Sequence, residues 1–406
     1  MTSGRKPSFE APVSSAYDVI VIGGGVVGCS AAWHLLTGAS ELRVLVVEPD
    51  PSFTRAASSA SSGGVRQLFT RPENVLMSQY TLELIDDWSR WTSPSGDTHP
   101  DAVIDLSWRD NGYLFITSPE LSDALRSDYE QQVALGVEAS WLEPDDLREL
   151  YPEMETSDLG TAVLSTRDGW LDPNSLAVGL RQRAKSSGAE IVKNRAVSFE
   201  TRGRRVTGVT LETGQTVRTA QVVNAAGVWG PGLSSRLGLD LPVEPMRRFD
   251  HFVRTPGEFS SRPFIKDPGG LAVRPEGDGL NAAIVDFSTP GGWDLSIDRS
   301  WFDEVVWPAL YERIPSTENL KLVSTWAGFY DQNRFDGNMI LDRWTDQYEN
   351  YFFATGFSGH GLMHAPAVGR ALAELIVHGS FQTLDLSRMG LQRVRDDRPY
   401  RETTVR

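Results

Sequence analysis

Three glycines near the N-terminus have the spacing of a phosphate-binding turn. They are Gly23, Gly25 and Gly28, directly after the apolar residues 19–22, which predict a buried β-strand, and directly before an apolar helix. The first glycine permits a tight turn, the second lets the backbone approach a pyrophosphate, and the third lets helix and strand pack closely. The helix N-terminus adds free N–H groups and a positive dipole end. The pattern predicts a binding turn for a dinucleotide.

An acidic residue stands where such a site needs one. The segment LRVLVVEPD predicts a second strand that ends at Glu48. This position is about twenty residues beyond the turn, where a carboxylate would hold the ribose hydroxyls. Because strand, turn, helix, strand and acid occur in this order, we favour dinucleotide binding over a chance glycine turn.

Two further segments offer a bare backbone to a ligand. TRAASSASSGGVRQLF, which contains Gly63, Gly64 and Arg66, could lie flat along an extended ligand. A disordered serine loop is the alternative interpretation. A nicotinamide dehydrogenase would continue its doubly wound sheet at this point, and this chain does not. GFSGHGLMHAPAVGR (356–370) places glycines and His360 before a final helix, whose N-terminus could meet negative charge.

Composition narrows the class of partner. The 406 residues carry a formal net charge of −15, and such a field argues against nucleic acid and anionic membranes as partners. Cys29 is the only cysteine, which excludes an intramolecular disulfide and favours a reducing, cytoplasmic setting. Residues 1–16 have no apolar core, so we expect neither a signal peptide nor a membrane span there, with a short transit peptide as the alternative.

The rest of the chain mixes strands and helices without a dividing linker. DNGYLFIT (110–117) predicts a strand, SDALRSDYEQQVALG a helix closed by Gly136, and residues 174–187 a helix closed by Gly188. A strand ending at Ala196 and Val197 and a β-hairpin lead to a small-residue turn at 225–230. Residues 236–334 are richer in strands and aromatic side chains. We therefore expect two intertwined domains.

These motifs together resemble one family. VIVIGGGVVG, Glu48, SSGGVR, GWLDPNSL, VVNAAGVWG and ATGFSGHGLMHAPAVGR look like the FAD-dependent amine and amino-acid oxidoreductases of the D-amino-acid oxidase superfamily, such as glycine and sarcosine oxidases. The resemblance covers residues 17–388. It implies an α/β (α+β) fold, in which a Rossmann-type FAD-binding domain of the glutathione-reductase-like type is interleaved with a substrate domain built on a mixed, mainly antiparallel sheet.

The resemblance also implies a division of the chain. The FAD-binding domain would comprise residues 17–90, 155–235 and 335–388. The substrate domain would comprise residues 91–154 and 236–334. Residues 1–16 and 389–406 would be terminal extensions, and the arginine-rich second one would be a solvated extension.

The implied cofactor is non-covalent FAD. The positions where some relatives attach it, near Ser61 and Gly328, carry neither histidine nor cysteine. In the family the last glycine turn closes on the pyrimidine edge of the flavin, where negative charge gathers on reduction. The expected cofactor contacts are Gly23, Gly25, Val26, Val27, Gly28, Glu48, Pro49, Ser62, Gly63, Gly64, Val65, Arg66, Val197, Ala225, Ala226, Gly227, Trp229, Gly356, Gly359, His360, Gly361, Leu362 and Met363.

The implied reaction moves a hydride from the carbon beside an amine to flavin N5 and leaves an imine that water hydrolyses. An amine that enters as its free base needs no dedicated proton acceptor. His360 is expected to be a structural or flavin-edge contact, with a general base as the alternative. The residues assigned to catalysis are Arg66, Tyr330 and Arg334, with a surface position as the alternative for Arg66. Those assigned to substrate binding are Arg274, Tyr330, Arg334 and His251, the arginines as carboxylate ligands.

Two functions from different classes follow. The first is an oxidase of a secondary amine, preferably an N-substituted glycine, that yields free amine, glyoxylate and hydrogen peroxide during biosynthesis of an unusual amino acid. The second is a FAD-bearing protein that assists assembly of a respiratory complex, as LPVEPMRRF, WAGFYDQNRFDGN and GSFQTLDLS resemble a mitochondrial branch of the family. Met363 replaces a lysine of sarcosine oxidases, so a dehydrogenase using an acceptor other than oxygen is a further alternative. We expect no bound metal, and the oligomeric state stays open.

Overall fold

The computed structural model describes residues 8–89 and 104–404. Its strands are β1 (Ala16–Ile22), β2 (Val44–Glu48), β3 (Gly64–Val65), β4 (Tyr113–Ile116), β5 (Ala139–Leu142), β6 (Ala162–Ser165), β7 (Gly169–Trp170), β8 (Glu190–Lys193), β9 (Ala196–Arg202), β10 (Arg205–Leu211), β11 (Thr216–Asn224), β12 (Val243–Arg254), β13 (Phe264–Lys266), β14 (Leu271–Glu276), β15 (Gly279–Ile284), β16 (Lys321–Asn333), β17 (Ile340–Arg343) and β18 (Tyr351–Thr355). Its α-helices are α1 (Val26–Gly38), α2 (Pro72–Asp86), α3 (Ser122–Ala134), α4 (Pro144–Leu150), α5 (Pro173–Ser186), α6 (Gly230–Ser235), α7 (Arg299–Trp301), α8 (Trp307–Arg313), α9 (Gly361–Val377) and α10 (Gln392–Arg395).

Two large sheets organise these elements. The first has the order β17-β18-β11-β1-β2-β8, with β10 and β9 added beside β11. The second has the order β16-β12-β15-β14-β13-β4-β6-β5 and is mainly antiparallel, although β13 and β4 run parallel. The predicted α/β fold, a Rossmann-type unit combined with a mixed, mainly antiparallel sheet, is confirmed, although β17 and β10 run antiparallel to their neighbours β18 and β11 in the first sheet. Within the described ranges, no helix combines the length and the hydropathy needed to cross a bilayer.

The central strands of the first sheet carry apolar residues on both faces, as is typical of a sheet that is covered on both sides. β1 and β2 read AYDVIVI and VLVVE, and their residues are almost all buried. Helix α1 packs against α9 and α5. A Cβ at Gly369 of α9 would lie 2.2 Å from the Ser30 hydroxyl of α1, so this glycine permits the close approach of the two helices. Because β1, β11 and β18 are parallel, α1 and α9 both begin at the carboxyl edge of the sheet.

The second sheet corrects one predicted domain boundary. Strand β6 pairs with β4 and β5, so residues 162–165 belong to this sheet and not, as predicted for 155–235, to the unit built on the first sheet. The long antiparallel pair of β12 and β16 forms the other end of the sheet. Residues 1–7, 90–103 and 405–406, which include the predicted start of the substrate domain, lie outside the described residues.

The strand predicted to end at Val197 is two strands. β8 ends at Lys193, and Asn194 leaves the sheet by donating its side-chain amide to the carbonyl of Glu10, with 2.8 Å between the atoms. β9 then begins at Ala196 and pairs antiparallel with β10. The sequence does not reveal this break, because Asn194 and Arg195 could lie within one long strand or between two short ones, and both arrangements fit the apolar pattern of the segment.

Part of the C-terminal segment packs into the fold, so the prediction of a solvated extension is wrong for its buried residues, while residues 395–399 are exposed. Arg393 is 8% exposed, and its Nε lies 2.7 Å from a carboxylate oxygen of Asp336. Tyr400 and Glu402 are also buried, and the Tyr400 hydroxyl donates to Glu73 at 2.9 Å. The arginine content was misleading because the acids that pair with Arg393 and Arg395, Asp336 and Asp346, come from distant parts of the chain.

Glu402 anchors this segment to the loop before α2. Its carboxylate accepts the backbone N–H of Thr70 and, at 2.7 Å, the side-chain amide of Asn74. The variant Glu402→Ala leaves both buried donors without this acceptor, so we expect the free energy of unfolding to fall by about 2–3 kcal/mol. Urea unfolding measures the change, and Arg398→Ala, at a side chain that is 81% exposed, is the control, with an expected change below about 0.5 kcal/mol. A native stability for Glu402→Ala would contradict this anchoring role.

Candidate active site

The turn between β1 and α1 depends on its glycines. Gly23 has φ +97°, and a Cβ there would lie 2.4 Å from the carbonyl oxygen of Ala225. A Cβ at Gly28 would lie 1.9 Å from the Gly23 oxygen, so only glycine lets α1 start this close to the strand. Gly25 differs, because a Cβ there would meet no atom within 4 Å. Its open side faces a cavity that Val26, Val27 and Glu48 also line.

The N-terminus of α1 is free to bind an anion. Gly25 is the N-cap, no side chain caps the helix, and the first turn has no acidic residue. In an α-helix the N–H groups of this turn have no acceptor within the helix. Gly25, Val26 and Val27 all line the cavity. The helix therefore offers unpaired donors and its positive dipole end to a ligand there.

Glu48 ends β2 beside this turn. Its carboxylate accepts the backbone N–H of Gly24 at 2.8 Å and that of Asp50 at 2.7 Å, and it lines the cavity. Burial raises the pKa of Glu48 above its ordinary value, while the two N–H donors oppose this effect. Each carboxylate oxygen keeps a further lone pair that a ribose hydroxyl could use.

A second helix begins at the same cavity. Gly359 has φ +100°, and a Cβ there would lie 2.6 Å from the ring of Tyr330, so the turn needs glycine for two reasons. His360 is the N-cap of α9, and no side chain caps this helix either. Asp331 holds the turn by accepting the backbone N–H of Gly356 at 2.8 Å. Burial raises the pKa of Asp331 to about 6.

The cavity between these segments has a volume of about 730 Å³, within the range of small-molecule sites. Both sheets contribute to its wall. The predicted cofactor contacts that line it are Gly23, Gly25, Val26, Val27, Glu48, Pro49, Ser62, Gly64, Arg66, Ala225, Ala226, Gly227, Trp229, Gly359, His360, Gly361, Leu362 and Met363. Tyr330, predicted for substrate binding and catalysis, lines it as well.

Other predicted contacts stand behind this wall and do not line it. Gly63 has φ +76°, and a Cβ there would lie 2.0 Å from the Leu171 oxygen, so its role is to allow the turn. Val197 was predicted to contact the cofactor, but its neighbour Ala196 lines the cavity instead. The predicted cofactor contacts outside the lining are Gly28, Gly63, Val65, Val197 and Gly356.

Arg66 points into the molecule, which excludes the alternative of a surface position. It is 4% exposed, and its guanidinium donates to the carbonyl of Leu68. Nη2 lies 3.3 Å from Nε2 of His360. The guanidinium carbon lies 3.9 Å from the ring centroid of Phe69 and 4.8 Å from that of Phe115. Because an arginine stays charged, this arrangement places a permanent positive charge at the cavity wall.

The histidines at the start of α9 are poor proton acceptors. Burial, followed by the charge of Arg66, lowers the pKa of His360 well below its ordinary value. Burial also lowers the pKa of His364 to about 3. Both rings are therefore neutral at physiological pH. This supports the assignment of His360 as a contact and not as a general base.

Three residues that were predicted to bind the substrate do not line the cavity. Arg274 is 6% exposed and donates to the carbonyls of Ser62 and Pro275, each at 2.9 Å. Arg334, also predicted for catalysis, binds Glu244 and two loop carbonyls, one of them that of Phe287. Neither guanidinium lines the cavity. Both side chains fasten loops to the second sheet, and we correct both assignments.

His251 is the third predicted substrate residue that does not line the cavity. Its side chain is 0% exposed, and Nδ1 lies 2.9 Å from the hydroxyl of Thr325. The ring centroid lies 5.0 Å from that of Phe302, in the core beneath the sheet. Burial lowers the pKa of His251 to about 4. The alternation of side chains along β12 directs this ring away from the cavity, which Arg248 lines.

The second sheet contributes cavity residues that the sequence patterns did not indicate. Arg248 is 7% exposed, pairs with Asp250, and lies 5.3 Å from the ring centroid of Tyr330. Lys266 lies at the end of β13. The residues in this group are Tyr113, Arg248, Phe264, Lys266 and Phe329. Arg248 and Lys266 are charged residues in otherwise apolar strands, which could have indicated a ligand site. The same pattern is also found where a strand side chain faces solvent.

These features fit FAD. A dinucleotide needs anion-binding N–H groups for its diphosphate and an acid for its ribose, and the α1 turn and Glu48 supply them. A flavin needs a second donor group where negative charge gathers, and the uncapped α9 N-terminus supplies it. The N-termini of α1 and α9 line the same cavity, and Gly25 faces the space in which a phosphate would lie.

Comparison with known proteins agrees with this geometry. Residues 18–375 match the family model for DAO, FAD dependent oxidoreductase. The chain is 35% identical to FAD-dependent oxidoreductase domain-containing protein 1 of Xenopus laevis, over 98% of this chain and 86% of that protein. It is 26% identical to glycine oxidase of Bacillus licheniformis, over 90% of this chain and 95% of that protein.

A solved structure shows the same fold. The crystal structure of L-proline dehydrogenase from P. horikoshii aligns with a TM-score of 0.83 at 24% identity and covers 95% of this chain and 99% of its own. The family match extends over most of the chain and includes both helix N-termini of the cavity. This protein therefore belongs to the DAO family of FAD-dependent oxidoreductases.

Proposed function

We propose that this protein oxidises the C–N bond of a secondary amino acid, an N-substituted glycine, and releases the free amine and glyoxylate. The observation that carries the proposal is the wall that the second sheet adds to the cavity. It is aromatic and cationic, and it faces the same space as the two uncapped helix N-termini. An amino-acid oxidoreductase needs a substrate surface of this kind beside its flavin.

The aromatic part of the wall suits the carbon skeleton of the substrate. The rings of Tyr113 and Phe264 are stacked with 4.5 Å between centroids. Tyr330 lies against the glycine turn before α9, and Phe329 lines the cavity beside it. Burial holds the pKa of Tyr113 far above its ordinary value, so its hydroxyl stays neutral. These side chains would exclude water and orient the substituent on nitrogen.

The cationic part of the wall suits a carboxylate. Arg248 and Lys266 of the second sheet line the cavity, and Arg66, which follows β3, adds a third positive charge. The positive charges also disfavour a bound ammonium ion, so the amine would bind as its free base with its lone pair available. Both histidines at the start of α9 are poor bases, which is compatible with hydride removal, a step that needs no proton acceptor at the reacting carbon.

We propose that FAD is held without a covalent bond. When bound, FAD supplies the two-electron acceptor for the hydride. Cys29 is 0% exposed, and its thiol donates to the Gly24 carbonyl at 3.0 Å. Burial raises the pKa of this thiol to about 12, which leaves it unreactive. Precipitation of the holoprotein with acid should release all yellow colour into the supernatant, and colour retained in the pellet would refute the proposal.

The electron acceptor and location are further proposals. Oxygen is the proposed acceptor, with hydrogen peroxide as its product, and Met363 at the cavity leaves another acceptor as the alternative. A cytoplasmic location is proposed because the single cysteine suits a reducing compartment.

Product analysis tests the proposed reaction. Purified holoprotein is incubated in air with N-methylglycine, proline, glycine and longer N-carboxymethyl amino acids, and glyoxylate, free amine and peroxide are measured. One N-substituted glycine should give glyoxylate and its free amine in equal amounts. Proline or glycine as the only substrate would contradict the substrate class. No product with any compound would contradict an oxidase and leave two alternatives, a dehydrogenase that needs another acceptor and a flavoprotein that assists assembly.

A further inference from the structure

Lys266 differs from Arg248, the other cation that the second sheet adds to the cavity wall, because its ammonium group is unpaired within the described part of the chain. Arg248 pairs with Asp250. The acid that follows Lys266 in sequence, Asp267, is bound by Arg313 with 2.6 Å between the atoms. Lys266 is a cation at the cavity wall without a counter-ion from these neighbours. Such a group is costly unless a ligand supplies the missing negative charge.

The register of the second sheet gives Lys266 space for a ligand. In β13 it lies opposite Ala272 of β14 and Phe115 of β4. Ala272 also lines the cavity, and its small side chain leaves room beside the lysine. Lys266 is of intermediate exposure and lines the cavity. Phe264 lies two residues before it, in the stacked aromatic pair with Tyr113.

We propose that the Lys266 ammonium group binds the carboxylate of the amino-acid substrate. Arg66 and Arg248 add positive potential to the same chamber, although their own donors are partly engaged. The assignment rests on the proposed function and identifies the residue that selects an amino acid over a simple amine. It replaces Arg274 and Arg334, whose guanidinium groups do not reach the cavity.

The charge of Lys266 makes this binding depend on pH. Burial, followed by the charges of Arg66 and Arg248, lowers the pKa of Lys266 from 10.5 to about 8. The charged or titratable groups around it are Arg66, Arg248, Asp267, Tyr113, Tyr330 and His360. A carboxylate favours the protonated lysine. Binding above about pH 8 must therefore take up a proton, and affinity must fall as the pH rises beyond that value.

A substrate analogue without nitrogen tests the assignment. Methoxyacetate has the shape of N-methylglycine but cannot be oxidised as an amine, and methoxyacetamide is its neutral counterpart. Their dissociation constants are measured on holoprotein at pH 7 by flavin difference spectra. Lys266→Met should weaken methoxyacetate roughly 10- to 100-fold and leave methoxyacetamide unchanged. Lys321→Met, at an exposed lysine of β16, is the matched control and should change neither constant.

Calorimetry gives an independent readout. With native holoprotein at pH 9, titrations in two buffers of different ionisation enthalpy should show uptake of nearly one proton per methoxyacetate, and at pH 6.5 almost none. Lys266→Arg should keep binding and lose the proton uptake. Equal methoxyacetate affinity in native protein and Lys266→Met would overturn the assignment.

Binding at pH 9 without proton uptake would also overturn it, and this result needs no variant that must fold or retain FAD. The proposed function fails separately. A native protein that binds methoxyacetate through Lys266 but oxidises no N-substituted glycine would refute the reaction and leave the anion site standing.

Discussion

Gly25→Val is expected to abolish tight FAD binding while the apoprotein stays folded. A Cβ at this position meets no atom within 4 Å, and the backbone angles of φ −70° and ψ −171° are open to any residue. Its side chain would instead occupy the space in front of the α1 N–H groups. We expect the dissociation constant of FAD to rise at least about 100-fold, or about 3 kcal/mol. Titration of apoprotein with FAD, followed by flavin fluorescence, measures it.

The same helix provides the control. Gly38 ends α1, and a Cβ there also meets nothing within 4 Å. Gly38→Ala should bind FAD within about twofold of the native protein, since the change is on the order of a few tenths of a kcal/mol. Replacing the N-cap glycine costs the helix about 1 kcal/mol or less, so apoprotein of Gly25→Val should still unfold cooperatively. Native FAD affinity in this variant would mean that the diphosphate lies elsewhere.

Arg66→Met is expected to make the bound flavin harder to reduce. Its guanidinium is buried at the cavity, and no ion pair to a carboxylate within the described residues offsets its charge. Two-electron reduction adds negative charge that a nearby cation favours. We expect the midpoint potential to fall by about 30–60 mV, which corresponds to about 1.4–2.8 kcal/mol. Spectroelectrochemical titration measures the potential, and anaerobic stopped flow should show slower reduction by substrate.

Arg66→Lys separates charge from shape. It keeps the positive charge but loses the contacts of the planar guanidinium with Phe69 and Phe115. A potential nearer the native value than that of Arg66→Met would identify charge as the cause. A native potential in Arg66→Met would show that the guanidinium does not act on the flavin.

The dinucleotide half of the site could be predicted because its chemistry is local. Gly23, Gly25 and Gly28 act within one turn, and the acid that follows at Glu48 is on the neighbouring strand. Gly23 needs its positive φ for the turn, Gly28 lies against the Gly23 carbonyl five residues earlier, and Gly25 leaves space for the ligand, so the spacing itself carries the information. The glycine turn before α9 could be located for the same reason.

The substrate half could not be predicted in the same way. Arg248 and His251 are three residues apart on β12, yet the first lines the cavity and the second lies in the core. Lys266 reaches the cavity only because β13 pairs between β4 and β14. Strand register and sheet order decide which side chains face the ligand, and neither can be read from a single strand.

Long-range packing also explains the errors in the domain limits. Strand β6 joins β4 and β5, which come from earlier parts of the chain. Arg393 and Glu402 of the C-terminal segment are buried because Asp336 pairs with the first and the loop before α2 and Asn74 supply donors to the second. When these partners are not known, a segment rich in charged residues has the pattern that is typical of a solvated tail.

Anaerobic reduction of the flavin tests the central claim most directly. Purified holoprotein is mixed without oxygen with an N-substituted glycine, and the flavin absorbance is followed before and after air is admitted. The account predicts bleaching by this substrate and not by the matching amine that lacks a carboxylate, with recovery in air if oxygen is the acceptor. A yellow protein that no N-substituted glycine bleaches would contradict the claim.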